Sequence, residues 1–535
     1  MASTRFNPII YVRGFAMSQG EIDETTADPF CGFNLGSTVY RANPDRARPP
    51  RKYVFESPMV RLASDFGYED TFREGLDIMD EGWSEPIPGK SVVIYRYYES
   101  ASTLLGEGPT PEIEDFATGL SDLILRIRDF VCADTGNGIT RDDFRCHLVA
   151  HSMGGLVCRA FLQNPKLGKI EARRCVDKVF TYATPHNGID MAGINVPKWL
   201  SANDISNFNR ERMADYLDVR DLYRKTGRVD WLPESAFPSA RFFCMIGTNR
   251  ADYEVAQGLS RTFSGNGSDG LVKIENASVW GVDEAGRPSL PTAKAFAYRS
   301  HSGYFGIVNS EESYQNLVRF LFGDVRVDIW VDIDGIGLPP RVRELRDSGK
   351  KVDALYQFEV LASPRGKLWY LTRRMAEEDS VACLRHQDWE AGKKNLHLSS
   401  IFLSSRARVD PARPSLAYGM TLRIRVPDYE VENRIWPDEH YEGGCLFQDS
   451  LVLEMVPPME GEDWQVAYDW QSDNQGRAAT SLDGKLLEGG KIELPVGFES
   501  RSVPGIAGRL RFIVSRWNAG CGDWQHPDGP VPSAS

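Results

Sequence analysis

The stretch HLVAHSMGGLVCR, residues 147–159, limits the fold more than any other part of the chain. A short aliphatic run ends at Ser152, and a helix-forming pattern, MGGLVCRAFL, follows at once. Ala150 and Gly154 lie two positions to either side of the serine. Small residues are needed there when a strand turns sharply into a helix, because the two backbones pass close together. Ser152 therefore has two readings. It is a hydroxyl presented at the end of a strand, or it is a helix N-cap, a position that serine favours. The first reading requires an acid and a base on loops elsewhere in the chain, and the second requires neither.

From the N-terminus to about residue 324, strand-like segments alternate with helical ones, the pattern of a parallel sheet with crossover helices. The strand candidates are PIIYVRG (8–14), SVVIYRYY (91–98), FRCHLVAH (144–151), CVDKVFTYAT (175–184), ARFFCMIG (240–247) and KAFAYRS (294–300). Helices are expected over 112–131, 153–164 and 311–323. Two segments interrupt the alternation, about 17–90 and 186–239, and are read as insertions because they exceed ordinary connections. Beyond residue 324, short alternating segments such as VRVDIWVDID, ALYQFEVLAS, MTLRIRVPDYEV and RLRFIVSRW predict an antiparallel sandwich. The expected organisation is thus an α/β domain over 1–324 and a β-rich domain over 325–535, with HPDGPVPSAS as a loose tail.

A chain of 535 residues is too long for one ordinary core, which agrees with two domains. Its formal charge of -13, with no basic block to offset it, argues against nucleic acid and does not favour an anionic membrane surface. No apolar run is long enough to span a bilayer, and the opening MASTRFNPII lacks the pattern of a signal peptide. The expectation is a cytoplasmic protein, or one exported by a route that needs no such signal. The nine cysteines are odd in number, scattered and without a CxxC pair, so neither a zinc knuckle nor a redox dithiol is indicated. Cys146, Cys158, Cys175 and Cys244 sit in apolar surroundings and read as small buried hydrophobes.

A serine hydroxyl becomes a useful nucleophile only when a base takes its proton and fixed donors stabilise the resulting oxyanion. Asp269, in SGNGSDGLVK (264–273), follows the strand ARFFCMIG, and His301, in YRSHSGYFG (298–306), follows the last strand of the alternation. The order Ser152, Asp269, His301 is that of the α/β hydrolases. Taken alone, Asp269 in a Gly-rich loop would be a turn former. Among the other histidines, His147 lies within a strand and His151 immediately precedes the serine, so neither is expected to approach Ser152. His186, in YATPHNG at the end of a strand, competes with His301, or serves as a contact behind the site or a hinge for a lid. His386, His397, His440 and His526 fall in the second domain and read as surface or structural residues. Two backbone donors are expected for the oxyanion, the N–H of Met153 and that of Phe15 in YVRGFA.

The segments VRGF, HLVAHSMGGLV, YATPHNG, SDGLV and SHSGY together resemble the serine lipases and esterases of the α/β hydrolase superfamily, especially the branch related to GPI inositol-deacylase and bacterial lipases. The resemblance covers about residues 1–324, with Ala150 where the consensus has Gly and Arg13 where many relatives have His. It implies Ser152 as nucleophile, Asp269 as acid, His301 as base, and Phe15 with Met153 as oxyanion donors. It further implies hydrolysis of a small-molecule or lipid ester without metal or organic cofactor. Residues 188–223 supply apolar side chains, Trp199 and Phe208 among them, that either roof an acyl chain or pack a helical cap onto the sheet. For the β-rich domain the options are a lipid surface, carbohydrate, docking to a partner or secretion apparatus, or stabilisation of its neighbour. The alternatives to hydrolysis are acyl transfer through the same serine, a phospholipase-type effector, and an interaction protein on an inactive scaffold.

Overall fold

The computed structural model describes residues 6–14, 37–41, 51–55, 57–73, 76–97, 112–191, 194–195, 205–250, 267–303, 306–408, 410, 412–432, 439–458, 464–473, 479–482, 484–500 and 502–518. The chain divides into two compact units, the first drawn from Met1–Lys294 and Arg299–Leu317, the second from Ala295–Tyr298 and Val318–Ala519. The division falls inside the helix Glu311–Phe322.

The first unit is built on a seven-stranded sheet whose last strand crosses the division, Ala295–Ala297 being counted with the second unit: β1 (Ile9–Val12), β2 (Glu69–Asp70), β3 (Ser91–Tyr95), β4 (Cys146–His151), β5 (Val176–Tyr182), β6 (Phe242–Gly247) and β7 (Ala293–Ala297). Their spatial order is β7-β6-β5-β4-β1-β3-β2. β1 runs parallel to both β3 and β4, and β4 to β5, β5 to β6 and β2 to β3 likewise. β1, β3, β5 and β6 are buried along their whole length; β1 and β6 read in sequence as unbroken apolar runs, while β5 carries the buried polar residues Asp177, Lys178 and Thr181 among its apolar ones. The helix Ile113–Ala133 buries Ile113, Phe116, Ala117, Leu120, Ile124, Ile127 and Val131, a stripe at three- and four-residue spacing. Strand order reverses about β1, with β3 on one side and β4 on the other, so the crevice beyond the C-terminal ends of β1 and β4 is where an open α/β sheet places its ligand. Ser152 follows the end of β4 directly, and Gly14 lies two residues beyond the end of β1.

The two insertions carry structure of their own. The first holds the hairpin Ser37–Arg41 with Arg51–Phe55 and a helix, Pro58–Phe66, capped by the Ser57 hydroxyl and ended by Gly67 at φ 71°. The second holds the helices Arg210–Tyr216 and Arg220–Thr226. Its strand Trp231–Pro233 joins Trp280–Val282 and Pro288–Pro291 in a small sheet.

The second unit contains two antiparallel sheets, of five and seven strands. Its long strands alternate buried and half-buried residues, as over Leu416–Val431. The inward side chains of both sheets, among them Ile329, Leu398, Leu494 and Phe512 from one and Tyr356, Phe358, Met420 and Leu453 from the other, share a single core. That is a sandwich. The fold is therefore an α/β-hydrolase-type parallel sheet with a helical insertion, and a β-rich C-terminal unit. Seven cysteines among the described residues carry free thiols; Cys31 and Cys521 lie outside those residues.

Candidate active site

Ser152 stands between β4 and the helix Met153–Gln163 with φ 51° and ψ -124°, a conformation that a residue with a side chain adopts only when its surroundings enforce it. The surroundings are visible. A Cβ on Gly154 would lie 2.2 Å from the Val12 carbonyl oxygen, and one on Gly155 would lie 2.2 Å from the Thr184 hydroxyl oxygen, so helix and sheet close on the serine as tightly as glycine allows. Ala150 is fully buried in register with Val12 and Thr181, and its methyl group fits within the strand. Ser152 makes no side-chain cap bond to its helix, which sets aside the N-cap reading. Its backbone N–H is held by the Tyr182 carbonyl at 2.9 Å.

The hydroxyl of Ser152 lies 2.9 Å from His301 Nε2, and His301 Nδ1 lies 2.9 Å from Asp269 Oδ2. A carboxylate only accepts, so Nδ1 carries the proton and Nε2 offers its lone pair to the serine O–H. The other oxygen of Asp269 accepts from the N–H groups of Leu271 (3.0 Å) and Val272 (2.7 Å), which fixes the carboxylate plane. The His301 N–H donates to the Asp269 carbonyl at 3.0 Å, tying the two loops a second time. Gly247, at the end of β6, makes room for both loops: a Cβ there would meet Asp269 Cβ at 2.8 Å and the Arg299 carbonyl oxygen at 2.7 Å. All three side chains are almost wholly buried.

Met153 is the first residue of its helix, so its N–H has no intrahelical acceptor and sits at the positive end of the helix dipole. Phe15 lies outside the described residues. The loop leading to it is anchored by Tyr97, whose hydroxyl donates to the Arg13 carbonyl at 2.6 Å and lies 3.2 Å from the Gly14 carbonyl. Nothing in the sequence pattern singles out Tyr97, because it extends an apolar strand by two residues.

His186 lies elsewhere. It is fully buried, and its Nε2 is 3.1 Å from the Thr181 hydroxyl, which itself donates to the Phe243 carbonyl. Nε2 is therefore the donor, and burial, with Arg159 beside it, holds this imidazole neutral well below the usual histidine range. Its contact is with the inside of the sheet, while His301 meets the serine. His151, not expected to approach Ser152, turns its ring to the loop of the base instead: its Nε2 is 2.8 Å from the His301 carbonyl oxygen. Of the apolar candidates in the insertion, Phe208, Met213 and Leu217 are buried, and Trp199 lies outside the described residues.

The insertion is tied down from beneath by Arg159, fully buried on the helix after Ser152. Its guanidinium donates to Gln163 Oε1 and to the carbonyls of His186, Val229 and Trp231, all at 2.8 to 2.9 Å. These carbonyls lie at the two ends of the inserted segment. A second network, Asn187 to Asn276 and Arg210 with Asn276 to Asp190, joins the insertion to the loop after Asp269. In a lone sequence these polar residues look like ordinary loop composition.

No protein-family model matches the chain, and no curated protein matches it. Among solved structures, the crystal structure of the Bacillus licheniformis lipase BlEst2 in mature form is similar over 59% of this chain and 93% of that one, at 14% identity and a TM-score of 0.32.

Proposed function

We propose that this chain is a serine carboxylester hydrolase of the lipase and esterase kind, working through an acyl-enzyme on Ser152. The observation that carries the reading is the unbroken relay from the strained serine through His301 to Asp269, with both contacts at 2.9 Å. In the proposed reaction His301 Nε2 takes the serine proton as Oγ attacks the ester carbonyl carbon. The oxyanion is met by the Met153 N–H and, from the sequence, the Phe15 N–H. His301 then gives its proton to the departing alkoxide, and the same cycle with water releases the acid. Asp269 holds the imidazole in the required tautomer and balances its charge. No step calls on a metal or organic cofactor. Small-molecule or lipid esters are the proposed substrates, and the finer likeness to the GPI inositol-deacylase branch belongs to this reading.

The test is labelling of Ser152 by a fluorophosphonate, together with hydrolysis of p-nitrophenyl esters of graded chain length. Labelling and turnover that both vanish in Ser152→Ala support the reading. A wild-type chain that neither labels nor turns over would leave an interaction protein on an inactive scaffold.

A further inference from the structure

His151 has no part in the relay, yet its ring touches two of the loops that form the site. Its Nε2 is 2.8 Å from the His301 carbonyl oxygen, and its ring centroid is 5.0 Å from that of His301. A Cβ on Gly14 would lie 2.9 Å from His151 Nδ1 and 2.9 Å from Ser152 Cβ, so the ring is packed directly against the loop that leaves β1. The carbonyl at 301 can only accept, so His151 Nε2 is the donor and Nδ1 carries no proton. Burial, with His301 and Arg13 nearby, lowers the pKa of His151 to about 3, so the donor stays neutral and adds no charge beside the base.

We propose that His151 is a positioning residue: by donating to the His301 carbonyl while packed against Gly14, it fixes the loop of the base relative to the loop proposed to carry the oxyanion donor. This rests on the hydrolase reading above. The residue before Ser152 ends β4, and from there its ring meets both the loop that follows β1, at Gly14, and the loop that follows β7, at the His301 carbonyl. An imidazole there has the reach to meet the far carbonyl. The amide of glutamine can place a nitrogen near the Nε2 position, asparagine falls short by about one bond length or more, and phenylalanine keeps the ring but offers no donor.

The experiment compares His151→Phe, His151→Asn and His151→Gln in the full chain, with p-nitrophenyl butyrate as substrate and thermal melting to confirm folding. Phe and Asn should lower kcat by about tenfold or more with KM within about twofold, because the reacting groups are misplaced while the substrate surface is untouched; Gln should recover most of the loss. The second readout needs no substrate: the low-field proton resonance of the His301 Nδ1–H bonded to Asp269. It should be present in wild type and Gln, and shifted or lost in Asn. Wild-type kcat in Phe or Asn, a Gln variant as slow as Asn, or an unmoved resonance in Asn would overturn the proposal. If the wild-type chain has no esterase activity, the hydrolase reading fails by itself, and the resonance still decides whether His151 positions His301.

Discussion

Asp269→Asn probes the site most sharply, because the structure dictates which way the new amide must face. Asp269 Oδ1 accepts two backbone N–H groups, from Leu271 and Val272, while Oδ2 faces His301 Nδ1. An asparagine that turned its NH2 toward the two backbone donors would set donor against donor in a buried place, at about 1–3 kcal/mol for each unpaired group. Its carbonyl oxygen therefore takes the Oδ1 position, and its NH2 points at His301. That nitrogen can only donate, so His301 must carry its proton on Nε2, where it faces the Ser152 hydroxyl and can no longer accept. Forcing this tautomer, and removing the charge that balances the imidazolium, should lower kcat by about 10³ to 10⁴, or roughly 4 to 5.5 kcal/mol of transition-state stabilisation. The assay is initial-rate hydrolysis of p-nitrophenyl butyrate, with fluorophosphonate labelling rates as a check that the loss lies in serine activation. KM should change little. A variant that folds and keeps more than about a tenth of wild-type kcat would refute the proposed role of Asp269 and reopen the choice of acid.

Replacing Arg159 with Met should cost about 3 to 5 kcal/mol and show as a large fall in melting temperature, because the buried carbonyls of His186 and Val229 lose this donor and that of Trp231 keeps only Gln163 Nε2; an unchanged melt would mean that water takes over the guanidinium's role. Burial lowers the pKa of His147 and of His151 to about 3. The unfolded chain therefore binds protons near pH 6.5 that the folded one refuses, and stability that is complete above that pH is lost progressively toward pH 3, by about 2 kcal/mol per histidine at pH 5. Urea unfolding at pH 7.5 and pH 5 measures this, and equal midpoints would contradict it. In the insertion, Phe208→Ala should destabilise by about 3 to 5 kcal/mol as a core deletion. Trp199→Ala should instead impair long-chain esters more than acetates if the segment roofs an acyl chain, and equal losses would make it scaffold.

What the sequence makes legible follows from how each element is buried. Six of the seven strands of the parallel sheet coincide with mainly apolar segments, because a strand covered on both faces favours apolar side chains at consecutive positions; the polar residues within them, such as Asp177, Lys178 and His147, are exceptions. The seventh, Glu69–Asp70, is two exposed acidic residues at the sheet edge, where neither face demands a hydrophobic side chain, so no pattern marks it. The long strands of the second unit are legible from their alternation, since only one face of each sheet meets the core. In the site, Ser152, Asp269 and His301 stand out because each follows a strand at a turn, and the chain order restricts their roles. The residues that hold them do not. Tyr97 and His151 act on backbone carbonyls, and any residue has a backbone carbonyl, so no partner motif elsewhere in the chain points back to them. His186 is the converse case. Its place after the end of a strand suits a base, but a buried threonine one position from the end of the same strand supplies its acceptor and turns the ring into the sheet.

The conformation of Ser152 joins fold to chemistry. A positive φ on a residue with a Cβ costs on the order of 1 to 3 kcal/mol, and it persists only where packing overrides it. Here the override comes from both sides. The parallel register that aligns Val12 with Ala150 brings the carbonyls of Val12 and Arg13 against Gly154, and the Tyr182 carbonyl of β5 takes the serine N–H. Relaxing the turn would push the helix off those carbonyls and withdraw a hydrogen bond at a fully buried strand end. The sheet thus supplies the energy that keeps the hydroxyl raised above its C-terminal edge, and it does so where the strand order reverses and where Gly14, Asp269 and His301 come together at the serine. A larger residue at Gly154 would remove this support without touching any reacting group. Gly154→Val should therefore abolish labelling of Ser152 even if the chain still folds, because the strained turn cannot form once the close approach is blocked.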